Sequence, residues 1–230
     1  MIYLIPSFLS ENAVETIPPY VIDVVKNCQV IFAENLRTAR RFLKACDPTI
    51  VIDNYEWHAI HKTEAGQIPE FQNCLRQNKN VAIISEAGCP GIADPGQILI
   101  EIAQQMNVQV KPLVGPSSIL LSLMASGMNG QCFTFLGYLP IDASERLKKI
   151  RQIEEESSKR DCTQIFIETP YRNDALLKDL LRNCHAETLL CIAVDITSSN
   201  ESIQTKTISE WKKMELSLHK KPVIFLIKKN

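Results

Sequence analysis

The sequence predicts a protein of two α/β domains, the first with a mainly parallel sheet and the second with a mixed sheet. Over the first half of the chain, short β-branched runs alternate with longer amphipathic runs, as in parallel strands joined by crossover helices. The pattern restarts after residue 113, where the last strands follow one another with less helix between them. We therefore expect domains at residues 1–113 and 114–230, with one larger sheet as the alternative because no Gly/Ser-rich linker marks the boundary.

The elements of the first domain follow from its apolar runs and its prolines. The apolar run Ile2–Ile5 ends at Pro6 and indicates a strand, and Pro18 opens the first helix. The run at residues 81–85 is apolar throughout, as in a buried parallel strand. The expected strands are residues 2–5, 30–33, 50–52, 81–85 and 108–112, and the expected helices are residues 18–26, 36–45, 64–77 and 97–105.

The same periodicities define the second domain. Helices are expected at residues 118–125, 144–157 and 172–182, with a short one around residues 210–215. The expected strands are residues 132–136, 163–168, 188–194, 202–207 and 222–227.

Composition limits the class of protein. A chain of 230 residues with 45% hydrophobic and 22% charged residues is ordinary for a globular protein. No apolar run approaches the ~20 residues that a membrane span needs, and the apolar start carries no basic leader, so we expect a cytoplasmic protein that does not enter a membrane. The 8 cysteines are scattered singly without a C-x-x-C pair, which favours reduced, mostly buried thiols.

Histidines and basic residues give no strong signal for a metal or for nucleic acid. His58 and His61 are close in sequence, but no Cys or carboxylate at metal-ligand spacing completes them, so a polar loop without a metal is favoured over a zinc site. The net charge of -1 argues against a generally basic surface. Three local clusters are better explained one by one as solvated helix faces: Arg37, Arg40, Arg41 and Lys44; Arg146, Lys148, Lys149 and Arg151; Lys212, Lys213, Lys220 and Lys221.

The segment at residues 85–96, S-E-A-G-C-P-G-I-A-D-P-G, carries the clearest functional signal. It follows the predicted central strand, and ligands of open α/β sheets bind at the carboxyl ends of the strands. Small residues at Ala87, Gly88 and Gly91 let a ligand lie against the main chain, and Asp94 is placed to cap the following helix. A plain strand-to-helix connection would need only two to six residues, so we interpret the segment as a ligand-binding turn.

A second turn, G-P-S-S at residues 115–118, also lies between a strand and a helix. Its amides and hydroxyls would suit a carboxylate or a ribose, although Ser117 taken alone is better explained as a helix cap. Neither turn is a Walker loop or a G-x-G-x-x-G fingerprint, so ATP and NAD are poorly supported.

Five segments together resemble one known family. The S-E-A-G-C-P-G-I-A-D-P-G turn is similar to the S-D-A-G-T-P-x-I-S-D-P-G signature of the ribosomal RNA small-subunit methyltransferase I family, a branch of the tetrapyrrole (corrin/porphyrin) methylases. The other four occur in the family's order and resemble its A-E-D-T-R, P-L-P-G-P-(S/C)-A, E-G-F-L-P and F-Y-E-S-P-H-R; they are residues 33–37, 112–118, 135–140 and 165–172. The resemblance covers essentially the whole chain.

The resemblance implies a two-domain enzyme that holds S-adenosylmethionine in the cleft between its domains and usually forms a homodimer. It implies a cofactor wall in the first domain formed by Ser85, Glu86, Ala87, Gly88, Cys89, Ile92 and Ala93, with Ser117 and Ser118 nearby. From the second domain it implies Glu168, Ala193, Pro222 and Val223.

The chain also departs from the family in its loops. Residues 6–12 contain no glycine, whereas the family has a glycine turn after its first strand. Glu86 replaces an Asp, Asn35 and Leu36 replace Asp and Thr, and V-D-I-T-S at residues 194–198 replaces R-E-L-T-K. In this family the loop after the first strand usually faces the substrate. A methyl acceptor different from that of the family therefore remains an alternative.

Candidate catalytic residues follow from positions at the ends of strands. Methyl transfer needs mainly an in-line nucleophile, but a ribose hydroxyl profits from a carboxylate. Glu34 and Glu168 lie at the carboxyl ends of predicted strands, and Arg37 and Arg172 are placed to hold a phosphate beside them. An intramolecular ion pair, such as Glu34 with Arg37, is an equally open explanation.

The leading hypothesis is an S-adenosylmethionine-dependent methyltransferase that methylates a ribose 2'-hydroxyl of ribosomal RNA, with the small ribosomal subunit as partner. A tetrapyrrole or other small molecule as acceptor is the alternative, favoured by the near-neutral charge and the altered first loop. A cofactor-binding paralogue without transferase activity is the third possibility.

Overall fold

The computed structural model describes residues 1–11, 13–60 and 64–229. The chain forms two compact units, Met1–Ser117 and Ser118–Asn230. Each unit holds one five-stranded sheet. Two sheets rather than one confirm the predicted fold class and exclude the single larger sheet.

The first unit alternates strands and helices along the chain. Its strands are β1 (Ile2–Ile5), β2 (Val30–Ala33), β3 (Glu56–Ala59), β4 (Val81–Ile84) and β5 (Val110–Pro112). Its helices are α1 (Pro19–Lys26), α2 (Leu36–Cys46), α3 (Ile68–Arg76) and α4 (Gln97–Gln105), with 3-10 turns at Val14–Thr16, Ile52–Asn54 and Glu64–Gln67.

The first sheet is parallel throughout, in the order β3-β2-β4-β1-β5. Alternate residues of β2 and β4 face opposite sides, so that Ile31 packs with α1 and α2, whereas Phe32 packs with α3 and α4. Both faces are therefore buried, as the continuous apolar runs predicted. All five carboxyl ends lie at one edge, which is where the candidate site begins.

The second unit has a mixed sheet, which was also predicted. Its strands are β6 (Phe133–Tyr138), β7 (Thr163–Ile167), β8 (Leu189–Val194), β9 (Ser202–Thr207) and β10 (Val223–Lys228), and its helices are α5 (Ser118–Ser126), α6 (Ala143–Arg160), α7 (Asn173–Asn183) and α8 (Ile208–Trp211). The order is β6-β7-β10-β8-β9, with β6 and β7 parallel and the other pairs antiparallel. Apolar residues of α6 and α7 cover the face that carries Phe166 and Phe225.

The third strand of the first sheet corrects the sequence prediction. Residues 50–52 do not form a strand: Ile50 is buried in a loop, and a 3-10 turn follows at Ile52–Asn54. The strand is β3, and its His58 was interpreted as part of a polar loop. The sequence of β3, E-W-H-A, has no β-branched residue that would mark it as a strand. Pairing with β2 overrides that weak propensity. His58 therefore lies in a strand, and His61 lies outside the described residues.

Several helix boundaries also differ from the sequence prediction. The helix expected at residues 64–77 is split into a 3-10 turn and α3, with Pro69 in the first helical turn. The short helix expected at residues 210–215 is α8, which begins earlier, at a capping box formed by Thr207 and Glu210. All 8 cysteines are free, in line with the expected thiols. Within the described residues, no helix has both the length and the apolar character to cross a membrane.

Candidate cofactor site

The turn at residues 85–96 is braced by the loop that follows β1. Ser7 and Gly88 exchange backbone hydrogen bonds of 2.9 and 3.1 Å. The buried Ser7 hydroxyl donates to the Ser85 carbonyl at 3.2 Å, and the buried Ser85 hydroxyl donates to the Gly88 carbonyl at 3.2 Å. Ser85 thus lies inside the turn and holds it together, whereas Glu86 and Ala87 after it are exposed.

The backbone of the turn is left-handed at four places. Gly88, Gly91 and Gly96 have φ of 77°, 77° and 119°, and Ala93 has a φ of 63°. Such a φ at a residue with a Cβ is uncommon and often marks a functional turn. The N-cap position of α4 is Gly96, two residues after Asp94, so Asp94 is not itself the N-cap residue.

The loop after β5 packs against the same turn. A Cβ at Gly115 would lie 2.2 Å from the Cβ of Pro6, so only glycine fits there. The half-buried Cys89 thiol donates to the Pro116 carbonyl at 3.5 Å. The loops after β1, β4 and β5 are therefore one packed unit, and its exposed surface is formed by residues 86, 87, 92 and 93.

Three carboxyl groups gather at this edge. The Glu86 amide donates to Oε2 of Glu34 at 3.2 Å. Burial raises the pKa of Glu34, and the nearby Glu86 charge adds to the rise. Burial, together with the charges of Glu34 and Glu86, raises the pKa of Asp94 to about 7. This cluster of acids is electrostatically unfavourable alone and attracts positive charge.

The Glu86 side chain is held by the start of α2. Its Oε1 accepts hydrogen bonds from Thr38 Oγ1 at 3.2 Å and from Asn35 Nδ2 at 3.3 Å. The same Asn35 caps α2 by accepting from the amides of Arg37 and Thr38. The segments at residues 33–37 and 85–96, which are distant in sequence, thus form one structure.

The arginines of the first two basic clusters are placed differently from one another. Arg37 is exposed, and within the described residues it forms no ion pair with Glu34. The explanation of these two residues as an intramolecular ion pair is therefore wrong. The guanidinium of Arg40 lies 5.1 Å from the Trp57 ring centre. Arg146 is occupied in a salt bridge of 2.7 Å with Asp179.

In the second unit, Glu168 and Arg172 form an ion pair. Arg172 donates to Oε1 of Glu168 from Nη2 at 2.6 Å and from Nε at 3.0 Å. The Thr169 amide donates to the same oxygen at 2.7 Å, and the Glu168 side chain is only 1% exposed. The alternative explanation, an ion pair within the chain, therefore holds for Arg172, which was a candidate phosphate ligand.

The other predicted residues of the second unit lie along one edge of its sheet. Ala193 and Val223 are buried in neighbouring strands, where Val194 pairs with Val223. The Asp195 amide donates to the Pro222 carbonyl at 3.1 Å. Because β7 and β8 end where β10 begins, Glu168 lies at this same edge.

The family assignment comes from comparison with known proteins. The model of the tetrapyrrole (corrin/porphyrin) methylases matches residues 13–212. The chain belongs to this family. Within it, curated relatives named ribosomal RNA small subunit methyltransferase I match most of the chain, which confirms the branch that the motifs indicated.

These relatives share about three residues in ten with this chain. The protein from Streptococcus pyogenes serotype M3 is 30% identical over 91% of this chain and 69% of its own length. The protein from Vibrio cholerae is 29% identical over 91% of this chain and 69% of its own. The protein from Buchnera aphidicola is 29% identical over 99% of this chain and 77% of its own.

Solved structures of the family share the fold. The methyltransferase CobJ superposes with a TM-score of 0.63 at 15% identity, covering 93% of this chain and 88% of its own. Uroporphyrin-III C-methyl transferase from Thermus thermophilus, in complex with S-adenosylhomocysteine, superposes with a TM-score of 0.60 at 15% identity, covering 99% of this chain and 97% of its own.

Sequence reasoning missed three contributors to the candidate site. Ser7 was seen only as part of a loop without glycine, Thr38 as part of a helix face, and Asp94 as a cap. Only Asp94 gave a signal, because a carboxylate in a turn of small residues at a strand end is unusual. The hydrogen bonds of Ser7 and Thr38 depend on loop positions that no local pattern encodes.

Proposed function

We propose that this chain is an S-adenosylmethionine-dependent methyltransferase that methylates ribosomal RNA, at a ribose 2'-hydroxyl. The observation that carries the proposal is the acid cluster of Glu34, Glu86 and Asp94 beside a braced turn of small residues. The family membership and the names of the curated relatives support the reaction and the class of acceptor.

The turn fits the proposed cofactor in shape and in charge. Ala87 and Ala93 expose small side chains at the carboxyl edge of the sheet, with Glu86 and Ile92 exposed beside them, so that a ligand can approach the turn closely. The acid cluster complements a cation, and S-adenosylmethionine supplies a methyl carbon made electrophilic by a positively charged sulfur. Gly88 and Cys89 lie behind this surface, and Ser85 supports them.

In this proposal the acids bind and orient more than they react. Thr38 and Asn35 fix the Glu86 carboxylate, so that its charge stands in one place before ligand arrives. Glu34 is fixed through the Glu86 amide and is our candidate to accept a hydrogen bond from an acceptor hydroxyl, with Arg37 as candidate phosphate contact. Ser117 and Ser118, and Glu168, Ala193, Pro222 and Val223 of the second unit, stay predictions as cofactor or acceptor residues.

Isothermal calorimetry tests the cofactor directly. The whole chain is expected to bind S-adenosylmethionine, and the Glu86→Gln variant to bind it about tenfold more weakly, since a hydrogen-bonded charge is worth roughly 1.5–3 kcal/mol. Glu101→Gln, an exposed change on α4, is the matched control. No heat at millimolar cofactor would remove the methyltransferase proposal.

A labelling experiment tests the acceptor. The protein is incubated with methyl-labelled cofactor and either undermethylated small ribosomal subunits or a small-molecule extract. Label in RNA that survives alkali as a 2'-O-methyl dinucleotide supports the proposal. Label only in the extract would instead favour a tetrapyrrole or another small molecule, and binding without any transfer would favour a non-catalytic paralogue.

Substitution of Arg37 tests the RNA contact. We expect Arg37→Ala to raise the KM for ribosomal subunits and to flatten its salt dependence, because one phosphate contact contributes about one unit of salt slope. Arg76→Ala, an exposed change on α3, is the control. Equal effects of the two changes would argue against a role of Arg37.

The proposed quaternary state is a homodimer in the cytoplasm. Leu120 and Met124 expose apolar surface one turn apart on α5, and Phe133 and Tyr138 do so on the edge strand β6. Surfaces of this kind are common at subunit interfaces. Light scattering is expected to show a dimer for the wild type and a shift towards monomer for Met124→Lys. If the wild type and the variant both have the mass of a monomer, the dimer is refuted.

A further inference from the structure

Four side chains with metal-binding atoms converge between β3 and α3. They are Glu56 and His58 on the strand, and Glu70 and Cys74 on the helix, and we call them the β3–α3 cluster. One carboxylate oxygen of each Glu, an imidazole nitrogen and the Cys74 sulfur all lie within 4.8 Å of one another. The cluster belongs to the first unit and takes no part in the candidate cofactor site.

Regular secondary structure creates this convergence. Glu56 and His58 are two residues apart in β3 and therefore point to the same face of the sheet. Glu70 and Cys74 are four residues apart in α3 and share one face of the helix. The imidazole of His58 is also oriented, because it stacks on the Phe32 ring with centroids 4.7 Å apart.

We propose that the β3–α3 cluster binds one divalent cation of the zinc type. One nitrogen, one sulfur and two carboxylate oxygens form a four-ligand set that suits zinc, whereas magnesium and calcium prefer oxygen ligands alone. Tetrahedral zinc with bonds of ~2.0–2.3 Å places its ligand atoms roughly 3.3–3.8 Å apart. Side-chain adjustments of about 1 Å would close the cluster from its present spacing.

The surroundings of the cluster match the charge and the outer contacts of such a site. Glu56 Oε1 lies 2.9 Å from His58 Nε2, and Glu56 Oε2 accepts from Lys79 Nζ at 2.7 Å. A cation between His58 and Glu56 leaves the Lys79 contact in place. Two carboxylates and one thiolate around a divalent ion leave one negative charge, which Lys79 balances.

An outer contact also positions the helical carboxylate. Asn73 Nδ2 donates to Glu70 Oε1 at 3.3 Å. Outer contacts of this kind orient metal ligands in known sites. Cys74 is fully buried, so the ion would be shielded from solvent on the side of the core.

The position of the cluster indicates a structural ion rather than a catalytic one. Glu56 opens β3 and pairs in register with Val30, at the amino end of β2, whereas the candidate cofactor site lies at the carboxyl edge. Four protein ligands also leave no open position for a reacting molecule. The ion would fasten the edge strand β3 to α3.

Metal titration of the whole chain tests the proposal. Chelator-treated protein is titrated with Zn²⁺ against a competing dye, and separately with Co²⁺ while its absorption is recorded. We expect one equivalent to bind, a thiolate-to-cobalt band in the near ultraviolet and a rise in Tm with Zn²⁺. Absence of stoichiometric binding by the wild-type chain would overturn the proposal.

Matched variants separate this cluster from other thiols and carboxylates. Cys74→Ser is expected to lose the cobalt band and to bind Zn²⁺ more than about 100-fold more weakly, beyond the 10–100-fold typical of outer contacts. Cys46→Ser and Glu101→Gln should bind as the wild type does. If Cys74→Ser does not fold, Glu70→Gln decides, because Glu70 is only partly buried: an unchanged zinc Kd in that variant refutes the cluster as the site.

Discussion

The amide of Glu86 donates a hydrogen bond to the carboxylate of Glu34, 3.2 Å away. Glu34 directly follows β2 and Glu86 follows β4, so this bond joins the ends of two neighbouring strands. It places two acids side by side and leaves Asp94 in their field. The first two predictions concern this arrangement.

Replacing Asp94 should have opposite effects on stability and on binding. Burial and the neighbouring acids raise the pKa of Asp94 to about 7 in the folded chain, against ~3.9 when unfolded. The folded state therefore holds this proton more tightly, and its stability falls as the pH rises from about 4 to 7. Asp94→Asn removes that loss.

At pH 8 we expect Asp94→Asn to melt at least ~2–4 °C higher than the wild type, which corresponds to about 1 kcal/mol for a chain of this size. Near pH 4 the two should melt alike. The same variant should bind S-adenosylmethionine more weakly at pH 8. Thermal melts from pH 4 to 8 decide the point, and a Tm difference independent of pH would contradict this account of Asp94.

Thr38→Val should weaken cofactor binding without changing stability much. Thr38 Oγ1 donates to Glu86 Oε1, and its loss frees a carboxylate that we propose to contact the cofactor. We expect about three- to tenfold weaker binding, in line with one hydrogen bond to a charged group near solvent. In the control Thr49→Val, the lost contact is to Asp47, and calorimetry should show unchanged affinity. Equal losses would refute the role of Thr38.

Gly115→Ala should destabilise the first unit. The added Cβ would lie 2.2 Å from the Cβ of Pro6, so the loops after β1 and β5 must separate. Overpacking of this kind costs about 1–3 kcal/mol, measurable by urea denaturation. Gly130→Ala is the control, because a Cβ there meets no atom within 4 Å. If both variants unfold at the wild-type urea concentration, the close approach of the two loops is wrong.

Arg172→Met should destabilise the second unit by about 3 kcal/mol. It leaves the Glu168 carboxylate, 1% exposed, without its cation, and an unpaired buried charge is costly. Arg182→Met, an exposed change on α7, should stay within ~0.5 kcal/mol of the wild type. A small loss for Arg172→Met would show that Glu168 is satisfied without it and would reopen a phosphate-binding role for Arg172.

The parts of the fold that depend on local pattern were predictable. β4 was recognised because V-A-I-I is buried on both faces, and the mixed second sheet followed from strands with little helix between them. β3 was missed because its residues gain their strand conformation from pairing with β2 rather than from their own propensity. Pattern alone does not report such tertiary support.

The candidate site was predictable only in its backbone. The small residues of the turn indicate a ligand-binding surface. The raised pKa of Asp94, however, depends on burial and on the charges of Glu34 and Glu86, which only the fold brings close to it. The partners of His58 in the β3–α3 cluster were invisible for the same reason, since Glu70 and Cys74 lie on a helix that follows. Spacing rules find metal sites only when the ligands come from one motif.

The placement of β1 has a consequence for synthesis of the chain. β1 lies between β4 and β5, with Ile2 opposite both Val81 and Val110. During translation this strand therefore emerges long before either neighbour. One of its edges stays unpaired until residues 81–84 have left the ribosome, and the other until residues 110–112 have. The first sheet is therefore completed only when β5 has been made, and β1 needs shielding while it waits.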